Sequence, residues 1–296
     1  MNKTIKYGSI DIGSNAIRLL ISTAHESEKG VFFKKNSLIR VPIRLGQDVF
    51  TKGKIGAKNQ KRMVQAMIAY RNLMDAHDVQ DYLACATSAM RDASNSKQLL
   101  KEIKEKANID IEIISGSKEA EIIFQTHIEK LLNDKKAYLY IDVGGGSTEL
   151  SLFNGKTLMA SKSFNIGTIR LLNDLVDKKE WDLMKQWIQK NTKNLKQINA
   201  IASGGNINRV YKLIGKKKLE PILIKEVNEV KENIERTPVN LRQELFNMNP
   251  DRADVILPAL SIYLSVFRWA NSSEIYVPKV GLSDGLVRKL HETKKS

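Results

Sequence analysis

Ile10-Asp11-Ile12-Gly13-Ser14-Asn15 and Ile141-Asp142-Val143-Gly144-Gly145-Gly146-Ser147-Thr148-Glu149 are two versions of one pattern. Each is an apolar strand that reaches an Asp, turns through Gly and hydroxyl residues, and enters a second apolar strand, Ile17 to Ile21 in one case and Leu150 to Phe153 in the other. A β-hairpin with such a turn can aim backbone N–H groups and a Ser or Thr hydroxyl at a phosphate. The Asp at the strand end, Asp11 or Asp142, can hold a divalent cation, usually through water. Either segment alone reads equally well as a tight hairpin. Two of them about one domain apart, with an Asp at the same offset, point to two related lobes facing one phosphate chain.

The rest of the chain surrounds these hairpins with alternating strand and helix patterns, which makes the class α/β. Strand-like pieces fall at Val31–Phe33 and Leu38–Ile43, at Tyr82–Ala86 and at Ile109–Ile114. A helix is predicted over Ala57–Ala76, with Met63, Met67, Tyr70 and Met74 on one face. Asn95-Ser96 can cap the helix that carries Leu99, Leu100 and Ile103. Ser115-Gly116-Ser117 opens a helix with Ile123, Phe124, Ile128 and Leu131 at helical spacing. The second half repeats the plan, with strands at Thr157–Phe164, Ile198–Ala202 and Glu274–Pro278. Its helices are predicted at Thr168–Val176 and Glu180–Leu195, after Gly204-Gly205, from about Arg252 with Pro258 near its first turns, and at Gly281–Leu290. The lobe boundary is placed in the helix around Phe124–Leu132.

Composition narrows the function classes. The 296 residues suffice for one or two domains with sizeable cores, and 42% hydrophobic with 27% charged residues describes a globular chain. The single cysteine, Cys85, lies in an apolar run and reads as a small core residue; no disulfide framework can form within the chain, which fits a reducing, cytoplasmic compartment. No apolar leader precedes the first strand, and the most apolar stretch, Leu260–Trp269, is interrupted by Ser261, Ser265 and Arg268 and reads as a buried helix, so no membrane partner is expected. The net charge of +15 suits a polyanionic partner. The lysines are dispersed or in short runs, with no nucleic-acid motif beside them, so inorganic polyphosphate explains the charge as well as nucleic acid does, and nucleic acid is not expected as a partner. His25, His77, His127 and His291 show no metal-ligand spacing.

Taken in order, the motifs are Asp11-Ile-Gly-Ser-Asn-Ala-Ile-Arg18, Ala86-Thr-Ser-Ala-Met-Arg-Asp-Ala-Ser-Asn95, Ile114-Ser-Gly with Glu119-Ala120, and Ile141 to Glu149. After them come Asn165-Ile-Gly-Thr, Gly204-Gly205, Asp251-Arg-Ala-Asp-Val-Ile256 and Gly281-Leu-Ser-Asp-Gly-Leu286. From about residue 5 onward the chain resembles the exopolyphosphatase/guanosine-pentaphosphate phosphohydrolase (Ppx/GppA) family of the actin–sugar kinase–Hsp70 superfamily. The resemblance implies two ribonuclease H-like lobes with a cleft between them. Residues 1–126 would form lobe I, with the C-terminal helix 283–296 packing back on it, and residues 127–282 lobe II. Longer family members add an HD-like helical domain; this chain looks like a short, two-lobed form.

The resemblance also implies roles. Gly13, Ser14 and Asn15 would form one phosphate loop, and Gly144, Gly145, Gly146, Ser147 and Thr148 the other. Glu119 would be the base that activates water. Asp142 and Glu149, with Asp11, would serve the divalent ion, Mg²⁺ or Mn²⁺, and Glu149 could also orient the water. Arg91 would clamp phosphate oxygens, while Arg18, Arg252, Gly204 and Gly205 would bind substrate further out. Read from the residues alone, Glu119 lies in the first turn of a helix, where the dipole favours its ionised form, and an acid there is also ordinary helix chemistry. Arg91 follows a strand end, where α/β folds place ligands.

Three positions depart from the family pattern. Lys118 occupies a position where an acid often precedes the catalytic Glu, and Glu121 one where Arg is common. Asn206 stands where Thr is usual in the nucleotide-base region, which weakens guanosine recognition more than phosphate recognition. The expected activity is metal-dependent release of terminal phosphate from inorganic polyphosphate. Alternatives are 5′-phosphate removal from pppGpp, an ATP-dependent kinase, and a non-catalytic ppGpp or polyphosphate sensor. A homodimer remains open.

Overall fold

The computed structural model describes residues 3–28, 30–124, 136–217, 219–278 and 280–294. The chain divides into two compact units, Met1–Thr126 with Gly281–Ser296, and His127–Val280. The sequence-predicted lobe boundary and the Ile128 and Leu131 turns of the helix after Ser117 lie outside the described residues.

The first unit is built from β1 (Lys3–Ile12), β2 (Ile17–Ser27), β3 (Gly30–Val41), α1 (Leu45–Lys52), α2 (Ala57–Ala76), β4 (Asp81–Ala86), α3 (Ser88–Asp92), α4 (Ser96–Ala107), β5 (Glu112–Ile113) and α5 (Gly116–Phe124). Its sheet runs β3-β2-β1-β4-β5. β1 pairs antiparallel with β2 and parallel with β4, which satisfies both its edges, and its second half, Tyr7–Ile12, is buried. The core joins these strands to Met63, Met67, Tyr70 and Met74 of α2, the stripe that the sequence predicts.

The second unit contains β6 (Ala137–Val143), β7 (Thr148–Asn154), β8 (Thr157–Phe164), α6 (Thr168–Leu172), α7 (Lys178–Thr192), β9 (Ile198–Ser203), α8 (Gly205–Ile214), β10 (Ile222–Leu223), α9 (Ile224–Arg236), α10 (Val239–Leu245), α11 (Pro250–Ala253), α12 (Ile256–Trp269) and β11 (Glu274–Tyr276). The sheet order is β10-β11-β9-β6-β7-β8. Read from β8, it repeats the first sheet: two antiparallel partners on one side of the central strand and the parallel strands β9 and β11 on the other, with the short β10 added antiparallel at the edge. α12 is buried along most of its length, as the Leu260–Trp269 stretch suggests. No described helix is long and apolar enough to cross a membrane. The last helix, α13 (Leu282–Thr293), belongs to the first unit, where Val287 and Leu290 pack with Tyr7, Leu20 and Ala24.

Several boundaries differ from the sequence expectation for identifiable reasons. Val31–Phe33 and the expected Leu38–Ile43 piece, as far as Val41, are parts of one continuous edge strand, β3; its exposed polar middle breaks the apolar pattern without breaking the ladder, and the register shifts opposite Ile21/Ser22. Ile109 is buried, yet only Glu112 and Ile113 pair as strand, because Asn108 closes α4 in a left-handed conformation (φ 50) and the chain is still turning. Asn95 precedes α4 but does not cap it through its side chain: its amide bonds the backbone N–H and C=O of Ile55 at 3.0 and 2.9 Å. The helix expected from Arg252 is two helices, α11 and α12, with Pro258 in the first turn of α12, where its missing N–H costs nothing. The Thr168 helix ends at Leu172 rather than Val176, and Asp174 follows it at φ 55.

Candidate functional site

In each unit the candidate residues collect at the carboxyl ends of the parallel strands, the position where open α/β sheets receive ligands. In the first unit β1, β4 and β5 end together: Thr87 N–H donates to the Ile12 carbonyl (3.1 Å) and Ile114 N–H to the Ala86 carbonyl (2.9 Å). In the second, β6 and β9 end in register, with Asp142 beside Ser203.

The two glycine turns have the same internal construction. Gly13 N–H donates to the Ala16 carbonyl (3.2 Å), and Gly144 N–H to the Ser147 carbonyl (2.9 Å). In the second turn, the start of α6 then takes the loop's carbonyls. Thr168 N–H bonds Gly144 O (3.0 Å), Ile169 N–H bonds Gly145 O (2.8 Å), and the Arg170 Nε–H bonds Gly146 O (2.8 Å). In a planar trans peptide the N–H points opposite to the C=O. The amides of Gly145, Gly146 and Ser147 are therefore turned away from α6, making a concave set of donors suited to an anion. Gly167 allows this contact: a Cβ there would overlap Gly145 and Gly146 backbone atoms. In the first turn, Gly46 N–H bonds Ser14 O (2.8 Å) and Arg44 N–H bonds Asn15 O (3.0 Å), which turns the Asn15 and Ala16 amides outward in the same way. Arg44 adopts a left-handed backbone (φ 61) to begin α1 at this point, an arrangement uncommon for a non-glycine residue.

The hydroxyls are used differently from what the turn composition suggests. Ser147 Oγ donates to Glu149 Oε1 (2.6 Å), and Thr148 Oγ1 donates to the Ile166 carbonyl (2.6 Å). Ser163 Oγ also donates to Glu149 Oε1 (2.9 Å). Both loop hydroxyls thus brace the unit from within, and the donors aimed outward are backbone amides.

The two hairpins differ in charge at one matched rung. Asp11 stands opposite Arg18, and Asp142 opposite Glu149. The first pair is closed by an ion pair, Arg18 Nη1 to Asp11 Oδ2 at 2.7 Å. The second places two carboxylates side by side, with Glu149 buried. Like charges directly opposite on a sheet repel unless something between them neutralises the charge. Among the described residues, no group of three or more His, Cys, Asp or Glu side chains is placed to hold a metal ion. A two-carboxylate pair is nevertheless the donor set that suits Mg²⁺, which keeps several waters and completes its shell with substrate phosphates.

Glu119 lies in the first turn of α5, half-buried, with its N–H on the Ser115 carbonyl (2.9 Å). Ser115 Oγ accepts from Lys118 N–H (3.2 Å), the bond of a helix N-cap. Lys118 and Glu121 pair with each other at 2.8 Å, so these two departures from the family pattern neutralise one another beside Glu119. Arg91 Nη1 donates to the Ile114 carbonyl (2.8 Å), tying the guanidinium to the segment that leads into α5. The Gly281–Leu286 motif holds that helix from behind: a Cβ on Gly285 would overlap Ile122 backbone atoms, and Ser9 Oγ bonds the Ser283 carbonyl (2.8 Å).

In the second unit Gly204 ends β9 at φ 116, and a Cβ there would crowd Asp142 Oδ1 (3.4 Å), Val143 O (3.3 Å) and Tyr263 Oη (3.0 Å). Tyr263 Oη donates to the Ser203 carbonyl; burial, and then the charge of Asp142, push its hydroxyl well above the usual range. Arg252 lies flat against Gly205, with Nη2 2.9 Å from where a Cβ would stand.

Sequence reasoning singled out Asn165-Ile-Gly-Thr only as a motif. Its role, withdrawing the loop's carbonyls, depends on main-chain contacts, Thr168 with Gly144 and Ile169 with Gly145, that only the fold displays. The α1 start at Arg44 and Gly46 and the Ser163 bond to Glu149 escaped it altogether.

The chain has relatives among known proteins. The chain is 29% identical over 292 residues to the bifunctional 3-dehydroquinate synthase/phosphatase of Fusobacterium nucleatum, covering 91% of this chain and 44% of that protein. It is 30% identical over 172 residues to exopolyphosphatase 2 of Mycobacterium tuberculosis, covering 56% of this chain and 53% of that one. The chain therefore spans about half the length of these relatives, or less. The crystal structure of an exopolyphosphatase from Cytophaga hutchinsonii superposes with a TM-score of 0.84 at 23% identity, over 97% of this chain and 98% of that one, which establishes a shared fold. Residues 26–294 match the model of the Ppx/GppA phosphatase family, and with the paired turns and strand-end carboxylates in place the chain belongs to that family.

Proposed function

We propose that this chain is a metal-dependent phosphohydrolase that releases the terminal phosphate of inorganic polyphosphate. The observation that carries the reading is the charge asymmetry of the two hairpins. Asp11 pairs with Arg18 across its rung, whereas the matched rung of the second hairpin sets Asp142 opposite Glu149, two carboxylates side by side. Asp142 and Glu149 would hold a divalent ion, Mg²⁺ or Mn²⁺, while Asp11, already ion-paired, serves to orient Arg18 beside the first turn. When bound, such an ion supplies charge neutralisation on the phosphoryl oxygens.

The protein groups do the remaining work. The amides of Gly145, Gly146 and Ser147, and those of Asn15 and Ala16, bind phosphoryl oxygens. Arg91, fixed through Ile114, balances charge on the transferring group. Glu119 takes a proton from water as its oxygen bonds to the terminal phosphorus and the bridging P–O bond breaks, leaving orthophosphate and a chain shorter by one unit. Phosphoryl transfer of this type needs positioning and electrostatic stabilisation more than covalent help. The exopolyphosphatase named among the relatives and the net charge of +15 support polyphosphate as the substrate.

The test is phosphate release measured side by side from long polyphosphate, short polyphosphate and pppGpp, with Mg²⁺, with Mn²⁺ and with chelator. The reading expects release from polyphosphate that chelator abolishes. Release from pppGpp alone would assign the chemistry to the nucleotide.

A further inference from the structure

The second unit contains a pocket of ≈ 240 Å³ lined by Asn208, Arg209, Lys212, Asn247, Asn249 and Arg252. Asn208, Arg209 and Lys212 come from α8; Asn247 and Asn249 lie between α10 and α11, and Arg252 is on α11. The lining holds three cations and three carboxamides, and neither a carboxylate nor an aromatic or aliphatic side chain.

The repeat of the fold gives one of these residues a counterpart. Asp11 is beside Cys85 across β1 and β4, and Asp142 beside Ser203 across β6 and β9. Counting from those rungs, Arg209 stands at the same step after Ser203 as Arg91 after Cys85. Both guanidinium groups are fixed to a backbone carbonyl, Arg91 to Ile114 and Arg209 to Phe246. The fixing leaves donor capacity unused: Arg209 Nε is buried without a hydrogen-bond partner among the described residues, and so is Asn208 Oδ1 on the neighbouring residue. A rotation about the last side-chain bond lets Asn208 present its NH₂ instead.

We propose that this pocket is a second phosphoryl site, which takes phosphate groups of a condensed inorganic phosphate at a place separate from the Gly144–Ser147 turn. Three cations with forked and amide donors suit phosphate oxygens. A nucleobase would call for an apolar or aromatic platform, which the lining lacks. Arg252, which also rests on Gly205, connects the pocket with the strand-end turn of the same unit. The proposal rests on the reading that the chain handles condensed phosphates.

The experiment is isothermal titration of the full chain with inorganic tripolyphosphate under chelation, so that no turnover intervenes, and separately with guanosine. Lys212→Met, at an exposed residue, and Arg209→Met/Lys212→Met are compared with the unaltered chain, with thermal unfolding as the folding control. Weakening of tripolyphosphate affinity by about tenfold or more in the double variant, with a smaller loss in Lys212→Met and a flatter salt dependence in both, is the expected result. Unchanged tripolyphosphate affinity in the variants overturns the proposal, as does guanosine binding that the substitutions weaken while tripolyphosphate is spared. Should the double variant not fold, Lys212→Met alone decides by the same criterion. Loss of tripolyphosphate binding in the variants of a chain that hydrolyses no polyphosphate would leave the pocket standing and remove the proposed activity.

Discussion

Asp142 and Glu149 occupy one rung of the β6–β7 ladder, carboxylate opposite carboxylate, at the position where the β1–β2 ladder places Asp11 opposite Arg18. The two hairpins have equivalent backbones and opposite electrostatics. One is complete as it stands, through a 2.7 Å ion pair. The other concentrates negative charge beside a turn whose amides favour anions, and the proposed divalent cation, with phosphate, would reconcile the two.

Glu149→Gln separates folding from function on this rung. The amide keeps an acceptor for Ser147 and Ser163, and removing one like charge relieves a repulsion of about 0.2–1 kcal/mol. Thermal stability should be unchanged or slightly raised. Metal-dependent phosphate release should fall by about 100-fold or more, since a metal's charge stabilisation is worth several kcal/mol. A metal titration of the rate beside a melting curve checks both halves.

Gly167→Ala tests the turn itself. Its backbone is extended, so the added methyl group is excluded only by the Gly145 and Gly146 backbone that it would overlap. The expected outcome is a raised KM for polyphosphate from a displaced loop, with a stability cost of about 1–3 kcal/mol by analogy with overpacked cores. Gly285→Ala should cost a similar amount of stability by pushing α13 off Ile122, and it should lower kcat instead, because α5 carries Glu119. Steady-state kinetics on the two variants reads the contrast.

The buried thiol gives a pH-dependence. Burial pushes Cys85 from its ordinary 9.0 up to about 12. Between these values the unfolded chain has lost the proton that the folded chain keeps, so stability from this group is full below pH 9 and declines as pH rises towards 12. In Cys85→Ala that part of the alkaline decline should disappear, as urea titrations at pH 8 and pH 10.5 would show. Thiol reagents at pH 8 should label the native chain only at the rate at which it opens.

Much of this was legible in the residues, and the rest was not, for physical reasons. The repeated Asp-and-glycine turn, the α2 stripe of Met63, Met67, Tyr70 and Met74, and buried Cys85 all follow from local pattern and periodicity. The Asp142–Glu149 opposition depends on hairpin register, which the turn length implies but does not display. The withdrawal of the Gly144–Gly146 carbonyls by α6 is a main-chain contact between distant segments, and main-chain contacts leave almost no mark on side-chain identity; Gly167 is the single trace. Ser147 and Thr148 show the converse: their type suggests phosphate donors, while their hydroxyls serve Glu149 and Ile166.

Salt should distinguish the substrates. If the cations among the 48 Lys and Arg residues bind a long anion, affinity for long polyphosphate should fall steeply with added salt, through counterion release, and affinity for pppGpp less steeply. Equal slopes for the two ligands, from binding titrations under chelation, would make the net charge ordinary surface.

The central claim, water activated by Glu119 on a metal-held polyphosphate, is tested most directly by Glu119→Gln. Phosphate release from long polyphosphate with Mg²⁺ should fall by about 10²–10⁴-fold, while polyphosphate binding and thermal unfolding stay as in the unaltered chain. Turnover near that of the unaltered chain in this variant, with binding intact, would contradict the account.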